Sequence, residues 1–172
     1  MTALMMGPEH LWGTASFEVT QFDSNMERCL LAANFSIDGE RVSVGTVHLE
    51  SLNNHDYREK QLEVCNSALS AYSHAILCGD FNFCSYRFDP RPDKPLENDS
   101  LQRLCPHFRD LWLDLVVHPH LEAVNIPRDT ANLGHMLPPE VAGLTFDSDA
   151  NKNISNEERF RLDRVVFKSP AT

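Results

Sequence analysis

No CxxC pair, no GxGxxG, no Walker-type phosphate loop and no internal repeat occurs in these 172 residues. The cysteines, Cys29, Cys65, Cys78, Cys84 and Cys105, are odd in number and lack the paired spacing of a zinc site or a disulfide framework. Free thiols in a reducing compartment are therefore expected. No apolar run reaches the roughly 20 residues of a membrane-spanning helix. Met1–Trp12 has no basic segment and no long apolar stretch, so no secretory leader is expected. These absences point to a soluble intracellular protein, cytosolic or nuclear.

Positive charge is also scarce. Lys and Arg number 15 against 25 Asp and Glu, a formal net charge of −10. Such a chain is ill suited to coating duplex DNA or an anionic membrane, because both repel it. It is suited to holding divalent cations, which prefer carboxylate oxygens. The imbalance is uneven: residues 1–86 carry 4 basic and 11 acidic side chains, residues 87–172 carry 11 and 14. Phosphate contacts are expected from the second half, notably Arg159, Arg161, Arg164 and Lys168. The alternative for these is a solvated strand edge.

Hydrophobic residues make up 42% of the chain, enough for one ordinary core, and the length suits one domain. Gly7, Pro8 and Gly13 mark residues 1–15 as irregular. Strands are predicted over 16–22, 28–37 and 41–49, with Asp38-Gly39 as a tight hairpin turn between the last two. Residues 53–72 predict a helix, because Tyr57, Gln61, Val64, Ala68 and Tyr72 recur at three- and four-residue steps. The apolar run 74–78, closed by Gly79, reads as a buried central strand. Residues 83–100 read as a proline-rich loop and 101–117 as a short helix with a strand. Residues 118–143, with Pro119, Pro127, Pro138 and Pro139, read as a long irregular stretch, and 144–146 and 159–168 as two last strands. Hairpins mixed with helices predict an α/β or α+β sandwich.

Three segments carry chemistry. Cys78-Gly79-Asp80-Phe81-Asn82 places an acid and an amide two residues apart at a strand end. On an extended backbone they share a face. The carboxylate can orient or deprotonate a water, or bind a cation, and the amide can donate to a phosphoryl oxygen. A simple Asx turn is the alternative. Thr46-Val47-His48-Leu49-Glu50-Ser51 brings His48, Glu50 and Ser51 to another strand end, where a polar cluster can meet phosphate; a structural histidine is the alternative. Arg161-Leu162-Asp163-Arg164 puts an acid in an apolar strand. It either pairs with a nearby Arg or orients a histidine, as in triad logic.

Together, Val44–Ser51 (VGTVHLES), Ile76–Asn82 (ILCGDFN) and Leu144–Phe167 (LTFDSDANKN…RFRLDRVVF) resemble the endonuclease/exonuclease/phosphatase superfamily, and within it the 5′-tyrosyl-DNA phosphodiesterases. The resemblance runs from about Phe17 to Lys168. It implies an α/β sandwich of that type, with 1–15 as an irregular segment and 16–172 as a partial domain. It implies an Mg²⁺-dependent phosphodiesterase or nuclease, with Mn²⁺ as the alternative metal, acting in the nucleus on DNA ends that carry a 5′-linked tyrosine or peptide, in DNA repair. Asp80 would activate the attacking water or help hold the metal, and Asn82 would contact water and scissile phosphate. His48 and Ser51 would line the phosphate region, Asp163 would orient the family's last histidine, and Phe146 and Asp147 would touch the nucleotide end.

The departures carry weight too. The family has an Asn motif and a metal-binding Glu before its HLES segment, and a Ser-Asp-His motif after its RLD strand. Neither is found here, and the last histidine is His135. The expectation is a domain lacking its N-terminal portion and final strand, with apolar sheet faces exposed and little activity on its own. A non-catalytic binding fragment, or a superfamily member acting on RNA or another phosphodiester, is the alternative.

Overall fold

The computed structural model describes residues 14–86, 97–128, 133–154 and 158–170. The first 13 residues, and 87–96 of the proline-rich loop, lie outside the described residues.

Three antiparallel strands come first: β1 (Ser16–Gln21), β2 (Cys29–Ile37) and β3 (Glu40–His48). Asp38 and Gly39 turn the second hairpin with φ of 51° and 85°. Positive φ at both central residues is what a two-residue turn matched to strand twist requires. Helix α1 (His55–Leu69) then carries the chain across the sheet, so β4 (His74–Asp80) lies parallel to β3. A parallel pair needs such a crossover. The sheet is completed by β8 (Asp163–Lys168), antiparallel to β4, and by the short β5 (Arg109–Asp110). Its order is β1-β2-β3-β4-β8-β5.

The main core lies on one face of this sheet. Leu62, Cys65 and Leu69 of α1 meet Leu30, Val47, Leu77 and Val166 of the strands, and α2 (Glu97–Leu104) adds Leu101. Side chains alternate across a strand, so their neighbours point the other way. On that opposite face Phe17, Val19, Ile76 and Val165 are 59%, 57%, 37% and 38% exposed. Among the described residues, helices cover one face of the sheet, and these side chains on its other face stay partly exposed.

A second, smaller core follows. A π-helical turn (Leu113–Val117), α3 (His118–Val124), α4 (Leu133–Met136) and α5 (Pro139–Ala142) gather Val117, Leu121, Leu133 and Ala142 around Tyr86, whose hydroxyl donates to the Ala142 carbonyl at 2.8 Å. β6 (Phe146–Asp147) and β7 (Arg159–Phe160) form a two-stranded ribbon beside it. Among the described residues no helix is long and apolar enough to cross a membrane.

Several sequence expectations are corrected here. Residues 97–100 begin α2 and are not loop. The stretch 118–143 is largely helical, not irregular. Its prolines mislead for two reasons. Pro139 opens the first turn of α5, where the missing N–H has no helical partner to lose, and Pro119 lies inside one continuous helical run, directly after the π-helical turn. The predicted strand 159–168 is two strands separated by Arg161-Leu162.

Gly79 does not close β4 but sits inside it, with φ of 128°. A Cβ there would lie 2.0 Å from the Val47 carbonyl oxygen. Gly79→Ala is expected to destabilise the chain by about 1–3 kcal/mol through backbone strain, with added displacement of β3. Urea unfolding checks this; an unchanged midpoint would contradict it.

Candidate active site

His48 ends β3, Asp80 ends β4 and Asp163 begins β8. In register His48 faces Asp80, and Asp80 faces Asp163, across three adjacent strands. Paired residues share a face, so the three form one row at the end of the open face. The His48 Nε2 lies 3.5 Å from Asp80 Oδ2. Residues distant in sequence thus meet because a parallel pair and an antiparallel pair end at the same level.

Asp80 is fixed by its own turn. Its Oδ1 accepts the Asn82 backbone N–H at 2.8 Å. Asn82 has φ of 56°, so the two residues are not on an extended backbone as the spacing predicted. The Asx-turn alternative therefore holds for the backbone, while Oδ2 still faces His48. The Asn82 amide turns back to donate to the Leu49 carbonyl at 2.8 Å, tying the end of β3 to the end of β4.

Partial burial, first, and the nearby Arg28 cation, second, hold the His48 pKa below its ordinary 6.5; Asp80 and Asp163 pull the other way. The imidazole is therefore neutral at neutral pH and can donate one N–H. A depressed histidine pKa favours the folded state above the unfolded value, and that contribution fades as pH falls through the folded value.

The other predicted residues are placed as follows. Ser51 Oγ donates to Met26 Sδ at 3.0 Å. Asp163 is exposed and pairs with neither neighbouring arginine. Its expected need for a partner lapses because it lies at the strand's solvated end. Arg161 instead makes a two-pronged pair with Asp110, at 2.8 and 2.9 Å. Arg164 is buried, donates to the Phe83 carbonyl at 2.8 Å and lies over the Phe83 ring at 4.4 Å; burial lowers its pKa to about 10. Phe146 stacks on Phe160 with ring centres 6.3 Å apart. Asp147 pairs with Arg159 at 3.3 Å. Glu50 is fully buried, and its carboxylate accepts from Ser24 Oγ (2.6 Å), the Asn25 N–H (2.9 Å) and Gln61 Nε2 (3.2 Å). It is a bracket between the β1–β2 loop and α1.

Sequence reasoning missed Thr145. Its Oγ1 accepts the N–H groups of Leu162 and Asp163, both at 3.0 Å. This joins the chain just before Phe146 to the row. A hydroxyl preceding the aromatic-acid pair in LTFD was the available signal.

A magnesium ion fits these residues poorly. Among the described residues no three His, Cys, Asp or Glu side chains converge on one point. Asp80 and Asp163 offer carboxylates in register, whereas Glu50 and Asp147 are engaged by other partners. Mg²⁺ requires near-octahedral oxygen coordination, so two facing carboxylates are an incomplete set.

Solved structures resemble this fold. A humanized D. rerio TDP2 carrying 14 mutations matches with a TM-score of 0.58 at 24% identity, over 92% of this chain and 54% of that one. D. rerio TDP2 complexed with single strand DNA product gives 0.57 at 24% identity, over 90% and 54%. An endonuclease/exonuclease/phosphatase from Beutenbergia cavernae DSM 12333 gives 0.55 at 17% identity, over 92% and 38%. Its fold is the endonuclease/exonuclease/phosphatase fold. The chain spans about half the length of the TDP2 structures from D. rerio. No protein-family model and no curated protein matches it. With this fold, the row His48–Asp80–Asp163 is carried at the strand ends of one sheet layer.

Proposed function

We propose that residues 16–172 act as a partial domain of a phosphodiesterase that hydrolyses phosphodiester bonds at DNA ends, in DNA repair and hence in the nucleus. The observation that carries this is the His48–Asp80–Asp163 row at the ends of three neighbouring strands. Hydrolysis at phosphorus needs a water held against a base, and donors for the phosphoryl oxygens. Asp80 is an oriented carboxylate whose Oδ2 is not consumed by its turn, so it can hold and deprotonate the water. Neutral His48 keeps an N–H to donate. Asn82 Oδ1 has no hydrogen bond among the described residues and can accept from the water. The TDP2 structure holding a single-strand DNA product supports DNA as the ligand class.

The magnesium that the resemblance implies is proposed to need ligands beyond the two carboxylates, and no step is routed through it. Turnover by this chain alone is therefore expected to be slow and its Mg²⁺ binding weak. The test is single-turnover cleavage of a 5′-phosphotyrosyl oligonucleotide by excess protein, with Mg²⁺ or Mn²⁺, beside RNA and phosphocholine-lipid substrates. Cleavage of the DNA end ahead of the others supports the reading. Preference for a lipid phosphodiester would favour the chemistry named by another fold neighbour, a sphingomyelinase C from Streptomyces griseocarneus, with a TM-score of 0.55. That no three-ligand cluster forms among the described residues favours one second reading, a chain that binds DNA ends without cutting them. Binding with no cleavage under either metal would establish that reading.

A further inference from the structure

The four basic side chains that the sequence offered for phosphate are all engaged elsewhere. Arg159 meets Asp147 and Asp149, Arg161 meets Asp110, Arg164 is buried on the Phe83 carbonyl, and Lys168 donates to the Ser70 carbonyl at 3.2 Å. Yet the row carries two carboxylates and a neutral imidazole, so an approaching phosphate meets like charge. Some cation must offset this for a phosphodiester to enter.

Arg28 is placed for it. It lies just before β2, whose first residue is level with His48 across the β2–β3 pair. Its N–H donates to Ser24 Oγ at 3.0 Å and its carbonyl accepts the Phe22 N–H at 3.2 Å, which fixes the β1–β2 loop at that end of the sheet. Its Nη2 meets Met26 Sδ at 3.6 Å, the same sulfur that takes the Ser51 hydroxyl. Its Nε is buried without a hydrogen-bond partner, and no carboxylate pairs with it among the described residues. A thioether is a weak acceptor, so exchanging it for a phosphate oxygen gains a charge-assisted bond.

We propose that Arg28 is the anion-binding residue of this site, taking the non-bridging oxygens of a phosphate group beside His48 and Ser51. This deepens the phosphodiesterase reading and rests on it for the identity of the ligand. The Ser51 hydroxyl stands beside the guanidinium for the same group, because both meet Met26 Sδ.

The test follows the His48 ring resonance by NMR in the full 172-residue chain, with inorganic phosphate as the first probe. In the wild type, at fixed pH, phosphate shifts this resonance saturably. In Arg28→Gln the phosphate response falls at least about tenfold in affinity, while Arg28→Lys keeps most of it. The second probe is a fluorescein-labelled single-strand oligonucleotide with and without a 5′-phosphate, followed by anisotropy. Loss of one phosphate contact lowers the salt slope by about 0.7 in Arg28→Gln. An unchanged phosphate response in Arg28→Gln, or none in the wild type, overturns the proposal. A phosphate response lost in Arg28→Gln, with no oligonucleotide binding by the wild type, leaves Arg28 as the anion site and overturns the DNA reading alone.

Discussion

Asp110→Ala is expected to lower the stability of the chain by about 3–5 kcal/mol, the usual loss when one member of a buried ion pair is removed. Asp110 and Arg161 are both nearly inaccessible, and the carboxylate takes both prongs of the guanidinium. Asp110 Oδ1 also accepts the N–H groups of Trp112 (3.1 Å) and Leu113 (3.3 Å). Its removal strands a buried cation and frees backbone donors at the start of the helical segment that builds the second core. Native domains hold only about 5–15 kcal/mol in total, so the loss removes a large share of the stability. Urea unfolding followed by Trp fluorescence measures the loss; a value under about 1 kcal/mol would show that the pair is solvated. The double variant Asp110→Leu with Arg161→Met should recover only the part of the loss due to the stranded charge, because the Trp112 and Leu113 N–H groups still lack their acceptor.

That pair also shows why part of the structure was not legible in the sequence. Asp110 and Arg161 are 51 residues apart, and nothing local marks them as partners. Sequence reasoning assigned Arg161 to phosphate or to Asp163, its neighbours in chemistry and in chain. Local features fared better. The Asp-Gly turn, the three strands around it and the amphipathic α1 follow from turn chemistry and periodicity, which act within a few residues. The helices within 118–143 were hidden because prolines are read as breakers, whereas Pro139 opens a first turn and Pro119 follows a π-helical turn. The row His48–Asp80–Asp163 was legible as residues and motifs, but its geometry depends on register between strands. The shared face of Asp80 and Asn82 fails, and the Asx-turn alternative holds, because the positive φ of Asn82 turns the chain where an extended step was assumed. Arg28 carried no signal at all, since its nearness to His48 arises only when β2 and β3 align.

In single-turnover cleavage of a 5′-phosphotyrosyl oligonucleotide, Asp80→Asn is expected to cut the rate by about 10² to 10⁴, the usual worth of a positioned acid or base. The substitution is a sharp test because it keeps the turn: an amide oxygen can still accept the Asn82 N–H that Asp80 Oδ1 takes at 2.8 Å. Backbone geometry and melting temperature should therefore stay near those of the wild type. What is lost is a negative oxygen opposite His48 that can take a proton from water. His48, already kept neutral by burial and by Arg28, would lose the carboxylate that favours its protonation, and its pKa should fall further. A drop in rate with a lowered His48 midpoint and an unchanged melt places Asp80 in the chemistry. Retention of more than half the wild-type rate would reduce Asp80 to a turn residue and leave the row without its base.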